Sequence, residues 1–110
     1  MSGLTLVNEL NDLQMRLTEG VRLMARYGRE YAQAEHDYKI ALAQAALRRR
    51  ADDMPVTMID KVIYGDVAKE RFKRDTAEVM YKTAQENINA TKLRLRLVQA
   101  QIEKEWSANE

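Results

Sequence analysis

"MPVTMIDKVIYGD", residues 54–66, holds the only proline of the chain and one of its four glycines. The sequence on both sides of this stretch has the pattern of helix. Pro55 lacks a backbone N–H and disfavours helical geometry at Met54, so we expect the first helix to end between Arg50 and Asp53. This stretch decides the fold, because it predicts that a chain otherwise committed to helix reverses its direction here.

The connector carries its own helix signals. Thr57 and Asp60 have the spacing of a capping box, in which the first side chain accepts a hydrogen bond at the start of a helix. A short helix is expected from Met58 to Tyr64, closed by Gly65 in the left-handed conformation. The connector is too apolar for a solvated loop, and we expect it to fold back over one end of the core. Its apolar residues are Val56, Met58, Ile59, Val62 and Ile63.

The long segments on either side repeat apolar or small residues in steps that alternate four and three, as in a left-handed coiled coil. In the first segment these are Leu6, Leu10, Leu13, Leu17, Gly20, Met24, Tyr27, Tyr31, Ala34, Tyr38, Ala41 and Ala45. In the last they are Ala77, Tyr81, Ala84, Ile88, Thr91, Leu95, Val98, Ile102 and Trp106. We predict a helix over 3–51, a connector with a short helix over 52–65 and a helix over 66–107, in a single domain spanning 1–110.

These segments predict an all-α fold, a long antiparallel helical hairpin with a short helix in its connector. If the chain reverses near Met58, Ile88 should lie beside Gly28. By the same register Trp106 should lie near Leu10. The residues expected in the core are Leu10, Leu17, Met24, Tyr31, Tyr81, Ile88, Leu95, Ile102 and Trp106.

A second apolar stripe lies on the last helix. At 100° per residue, Phe72, Val79, Leu93 and Leu97 fall roughly 150° around the helix from the first stripe. One hairpin can cover only one stripe, so this pattern predicts self-association, with two hairpins forming a four-helix bundle. The alternative is that these side chains are simply exposed.

The sequence offers no constellation for catalysis or metal binding. The chain has no cysteine, which excludes thiol catalysis, disulfides and zinc–thiolate sites. His36 is the only histidine, and its neighbours Glu35 and Asp37 point away from it on a helix. We therefore predict a protein that is not an enzyme and that uses no cofactor and no metal.

Charge is balanced over the chain, with 18 basic and 17 acidic residues, so charge-driven binding must be local. Arginines concentrate at the connector, and a guanidinium holds phosphate or carboxylate through two hydrogen bonds. The predicted partner or phosphate contacts are Arg48, Arg49, Arg50, Arg71 and Arg74. The alternative is structural, because arginines at a helix C-terminus interact favourably with its dipole. No signal peptide and no apolar run of about 20 residues is visible, so no membrane contact is expected.

The stretches "DMPVTMIDKVIYGD" (53–66) and "FKRDTAEVMYKTAQENINATKLRLRLVQAQIEKEW" (72–106) resemble a group of short helical proteins encoded by phages and prophages of Gram-positive bacteria. Their genes often lie among early genes, near recombination and single-strand-binding genes. The resemblance implies a helical fold, a phage origin and a location in the host cytoplasm. It brings no catalytic residues.

This resemblance favours a non-enzymatic interaction protein, an inhibitor of a host nuclease or antiviral defence complex that acts by direct protein binding. Two alternatives stay open. The first is a nucleic-acid-binding accessory protein of phage recombination or replication, which would place the same arginines on phosphates. The second is a structural virion component that only oligomerises.

Overall fold

A computed structural model describes residues 3–108, which form three helices and no strand: α1 (Gly3–Ala51), α2 (Val56–Asp66) and α3 (Ala68–Ala108). The chain is an all-α helical hairpin with a short helix in its connector, as the sequence predicts. Residues 1, 2, 109 and 110 of the predicted single domain lie outside the described range. None of the described helices combines the length and apolarity needed to cross a membrane.

Helix α1 ends in a Schellman motif. Asp53 has a φ of 61°, in the left-handed region. Its N–H donates to the carbonyl of Arg50 (3.0 Å), and the N–H of Met54 donates to the carbonyl of Arg49 (3.1 Å). These two bonds satisfy carbonyls that the end of a helix otherwise leaves without a partner. The chain therefore reverses within the four residues 52–55.

Helix α2 begins directly at the proline. The carbonyl of Pro55 accepts from the N–H groups of Met58 (2.9 Å) and Ile59 (3.1 Å), and no side chain caps the helix. The predicted capping box of Thr57 and Asp60 is therefore wrong. Because Pro55 supplies the first acceptor, Thr57 already lies inside the first turn, where its hydroxyl is not at the helix boundary.

Only Val67 separates α2 from α3. Its N–H donates to the carbonyl of Ile63 (3.1 Å), and its own carbonyl accepts from the N–H of Arg71 (2.9 Å). The helical hydrogen-bond spacing thus continues across the break, although Val67 itself has a φ of −111° and a ψ of 21°. Gly65 lies inside α2, and no glycine among residues 3–108 has a positive φ. The prediction that Gly65 closes the short helix is wrong, because the chain continues into α3 with no left-handed residue.

The described residues pack as two compact units. Unit 1 comprises residues 3–26 and 82–108, and unit 2 comprises Tyr27–Tyr81. The core of unit 1 joins the start of α1 to the end of α3. Its main cluster consists of Leu6, Leu13, Leu95 and Val98, with Leu10, Leu17 and Ile102 packed against them.

The core of unit 2 forms where α2 packs on α1. Ala45 is completely buried, and its small side chain lets Ile59 and Ile63 of α2 approach closely. Only part of the apolar connector is buried in this way. Val56 and Met58, which were expected to help cover the core, are 68% and 51% exposed. For Met58 the reason is helical spacing, because position 58 lies off the face that carries Ile59 and Ile63. Val56 shares that face but lies in the first turn of α2 and stays exposed.

Two glycines of α1 receive large side chains of α3. In unit 1, Ile88 lies against Gly20, with its Cγ1 3.3 Å from the point where a Cβ would lie. In unit 2, the ring of Tyr81 lies against Gly28 at 3.6 Å. The same tyrosine makes an edge-to-face contact with Tyr31, with ring centroids 6.1 Å apart.

The predicted pairing of Ile88 with Gly28 is therefore wrong by eight residues, because Ile88 packs on Gly20. The cause is the position of the reversal. The chain turns at 52–55, about four residues before the predicted Met58, and each residue of shift at the turn moves the pairing by two.

Most predicted core residues face inward. Ile88 and Leu95 are buried, and the half-buried ones are Leu10, Leu17, Met24, Tyr31, Tyr81 and Ile102. Trp106 is the exception, at 69% exposed. The step from 98 to 102 is four, so the alternation requires a step of three to Glu105, which is half-buried. Placing Trp106 in the core was an error of spacing.

The left-handed conformation of Asp53 makes a stability prediction. A side chain in this region costs more than glycine, so Asp53→Gly should raise the free energy of unfolding by roughly 0.5 kcal/mol, after the greater flexibility of glycine in the unfolded chain is subtracted. Urea unfolding followed by circular dichroism measures the change. Asp52→Gly is the matched control and should not stabilise, because Asp52 does not have a positive φ. Equal or lower stability for Asp53→Gly would contradict this description of the turn.

Candidate protein-binding surface

All five arginines predicted to contact a partner belong to unit 2, three in the last turn of α1 and two near the start of α3. They divide into two groups. Arg49 and Arg74 are half-buried and make side-chain hydrogen bonds within the chain. Arg48, Arg50 and Arg71 are exposed. The two groups therefore differ in how accessible their guanidinium groups are to a partner.

Arg49 links the end of α1 to the end of α2. Its Nε donates to Oδ2 of Asp66 (2.8 Å) and its Nη2 donates to Oδ1 (2.6 Å). This two-bond geometry is the strong form of the arginine–carboxylate pair. The hydrogen bond from Arg49 lowers the pKa of Asp66, and the same bond raises the pKa of Arg49. Arg49 thus holds α2 against α1.

Arg74 is held in a similar way by α3 and α1. Its Nε and Nη2 both donate to Oδ1 of Asp75, at 3.1 and 2.8 Å. Its guanidinium lies over the ring of Tyr38, with 4.3 Å from Cζ to the ring centroid, a favourable cation–π distance. The hydrogen bond to Asp75 raises the pKa of Arg74. Arg74 therefore contributes to the packing of α3 on α1.

The remaining three arginines have no hydrogen bond or ion pair from their side chains to other residues in 3–108. Arg71 does lie near an aromatic ring, with its Cζ 6.0 Å from the ring centroid of Tyr64. Tyr64 is itself half exposed. Arg48 is near enough to Asp66 for its charge to contribute to the lowered pKa of that carboxylate.

Helix α2 adds exposed apolar side chains to unit 2. We name as the connector surface the exposed side chains of Arg48, Arg50, Val56, Met58, Tyr64 and Arg71. The sequence predicted its arginines, but it placed Val56 and Met58 over the core and assigned no role to Tyr64. The spacing of Ile59, Ile63 and Val67 could have revealed Met58 and Tyr64, because these three share one helix face and positions 58 and 64 lie off it. It could not have revealed Val56, which shares that face.

The residues predicted for self-association are all exposed. Phe72 and Val79 lie in unit 2, and Leu93 and Leu97 lie in unit 1. No core residue of either unit covers them. Their exposure fits both alternatives raised by the sequence, and self-association through this stripe stays a prediction.

The residue types of the connector surface indicate which contacts it can make. Among residues 3–108, no group of three histidine or carboxylate side chains is placed to hold a metal. Arginine, tyrosine and methionine are instead the residue types enriched in protein interfaces. No family model, no curated protein and no solved structure matches this chain. The geometry of its own residues is therefore the basis for a functional proposal.

The Arg49–Asp66 pair predicts how stability depends on pH. The folded state lowers the pKa of Asp66, so this pair stabilises the fold above the unfolded pKa of about 4. The stabilisation is lost as the pH falls through the lower folded pKa. Asp66→Asn should therefore reduce the melting temperature at neutral pH, and the difference from wild type should shrink in acid. Asp60→Asn, at an exposed position of α2, is the control. A difference that stays constant down to pH 2 would contradict a role for the Asp66 charge.

Proposed function

We propose that this chain is a non-enzymatic interaction protein that binds another protein through the connector surface. The observation that carries the proposal is the combination, within unit 2, of three exposed arginines and three exposed side chains of α2. The arginines are Arg48, Arg50 and Arg71, and none of them makes an ion pair within the described residues. A partner that brings carboxylates to these arginines would complete their hydrogen bonds.

The apolar part of the surface favours a protein over nucleic acid. Val56 and Met58 would gain by burial against an apolar patch of a partner, at about 25 cal/mol per Å² of apolar area removed from water. Tyr64 beside Arg71 offers an aromatic ring and a guanidinium together, a pairing common at the energetic centre of interfaces. Phosphate backbones would use the arginines alone and leave the apolar groups in water.

The helical scaffold supports this role. Each member of the connector surface is held by α1, α2 or α3, and α2 is fixed to α1 by the buried Ala45–Ile59–Ile63 contact and by the Arg49–Asp66 pair. A surface that is already ordered before binding loses less conformational entropy in the complex. The connector surface is therefore suited to tight, stoichiometric association.

For the class of target we rely on the resemblance to phage-encoded helical proteins. It makes a host nuclease or an antiviral defence complex the first class to test, with inhibition arising because the bound helical unit blocks a functional surface of the target. Inhibition of this kind requires no catalytic residue. The site of action would be the bacterial cytoplasm.

The double variant Arg48→Glu with Arg71→Glu tests the proposal. Affinity purification of the wild-type chain from a Gram-positive host should recover one protein in a stoichiometric complex, identified by mass spectrometry. The double variant should lose that protein, because reversed charges repel its carboxylates. Arg96→Glu is the matched control: Arg96 is exposed on α3 but belongs to unit 1, and its variant should retain the partner.

Two results would contradict the proposal. One is a partner retained equally by wild type, by the double variant and by the control. The other is binding of single-stranded DNA or RNA whose affinity falls with salt, with a log–log slope of about −0.7 per phosphate contacted, and which the double variant abolishes. That second result would establish the nucleic-acid-binding alternative.

A further inference from the structure

Unit 2 contains an open groove between α1 and α3 that the connector surface does not include. Its floor is made of small side chains, Ala34 and Ala77, and two large apolar side chains of α3 stand along it. Phe72 is 73% exposed, and Met80 is also exposed. A groove with a small-residue floor between large apolar groups is the surface into which a helix side chain of a partner can insert.

The two edges of this groove carry opposite charges. On the α1 edge lies Asp37, whose carboxylate accepts a hydrogen bond from Gln33 (2.9 Å). On the α3 edge lie Lys69 and Lys73. Neither Asp37 nor Lys73 makes an ion pair with another residue in 3–108. Tyr81 packs on Gly28, and in this antiparallel register Lys73 lies within about one residue of the level of Asp37, on the opposite edge of the groove.

From these features we infer that the groove is a docking surface for a second copy of this chain. A two-fold axis parallel to the groove places α1 of one copy over α3 of the other, because the rotation exchanges the two edges. Asp37 of each copy then faces Lys73 of its partner, and the two ion pairs are equivalent by symmetry. Phe72 of each copy is brought against the groove of the other.

The charge pattern favours a second copy of this chain as the molecule bound in the groove. A groove with edges of one sign would repel its own copy and would call for a partner of opposite charge. Here the acidic edge and the basic edge complement each other within one sequence, and only a two-fold axis along the groove matches them at equal level. The apolar floor then supplies burial at the centre, and the ion pairs lie at the rim, as in ordinary protein interfaces.

This surface differs in part from the stripe predicted by the sequence. It includes Phe72 and does not include Leu93 or Leu97, which belong to unit 1. The inference does not depend on the proposed function, because the connector surface and the groove share no residue. A result that contradicts the proposed function would therefore not contradict this inference, and the reverse also holds.

Charge exchange tests the inference. By analytical ultracentrifugation the wild-type chain should dimerise, and Asp37→Lys or Lys73→Asp alone should weaken the dimer by about 100-fold or more, because each introduces two like-charge contacts. An equimolar mixture of the two single variants should dimerise again, since the mixed dimer restores both ion pairs. Each chain of that mixture still carries two like charges across its own groove, so a contact within one chain cannot produce the recovery.

Matched variants test the apolar part. Phe72→Ala should weaken the dimer, whereas Leu47→Ala should not, because Leu47 is comparably exposed in unit 2 but does not line the groove. A wild-type chain that is monomeric at high micromolar concentration would overturn the inference. So would a mixture that stays monomeric, or a dimer that the groove variants leave intact and that Leu93→Glu with Leu97→Glu dissociates.

Discussion

The point at which α1 ends governs the rest of the structure. Helices are rigid rods with a rise of 1.5 Å per residue, so a reversal moved by four residues would slide the returning helix by about 12 Å along α1. Three features act together to stop α1 at this point: the left-handed Asp53, the Schellman bonds of the last carbonyls and the proline that follows. The position of this turn therefore determines which residues of α1 pair with which residues of the returning helices.

The break at Val67 has a different consequence. Because the hydrogen-bond spacing continues across it, α2 and α3 leave the reversal as two helices with a single residue between them. Val67 is buried in the same cluster as Ala45 and Ile63, so packing holds the break in place. The chain gains a short helix whose inner face completes the core of unit 2 and whose outer face is free to form a surface. The connector thus contributes both to the core of unit 2 and to its exposed surface.

Much of the fold could be predicted from residue spacing, and the errors have identifiable causes. The alternation of four and three correctly placed Ile88 and Leu95 in the interior, because burial of one helix stripe is a strong and repeated signal. The alternation did not determine how α1 and α3 pair. Gly20 and Gly28 both offer a small site for Ile88, and only the position of the turn distinguishes them. Turn geometry was harder to predict: a left-handed aspartate is less common than the left-handed glycine that the sequence suggested.

The candidate surface was predicted in part. The cluster of arginines was visible in the sequence, but the loss of Arg49 and Arg74 to internal contacts depends on where Asp66, Asp75 and Tyr38 lie in space. The groove of unit 2 was not predicted, because it pairs charges from segments more than thirty residues apart, and their relative level follows from the turn. Residue spacing in the sequence therefore identified the faces of each helix. Which charged groups share a surface became visible only from the pairing of the helices in the structure.

The register of the hairpin is the claim on which these conclusions depend, and paired cysteines test it directly in a chain that has no cysteine of its own. Gly20→Cys with Ile88→Cys should form an intramolecular disulfide under mild oxidation in dilute solution, because Cγ1 of Ile88 lies 3.3 Å from the point where a Cβ at residue 20 would lie, so the two thiols would be neighbours. Gly28→Cys with Ile88→Cys carries the same change at Ile88 and should remain reduced. A disulfide in the second pair and none in the first would contradict a reversal at residues 52–55.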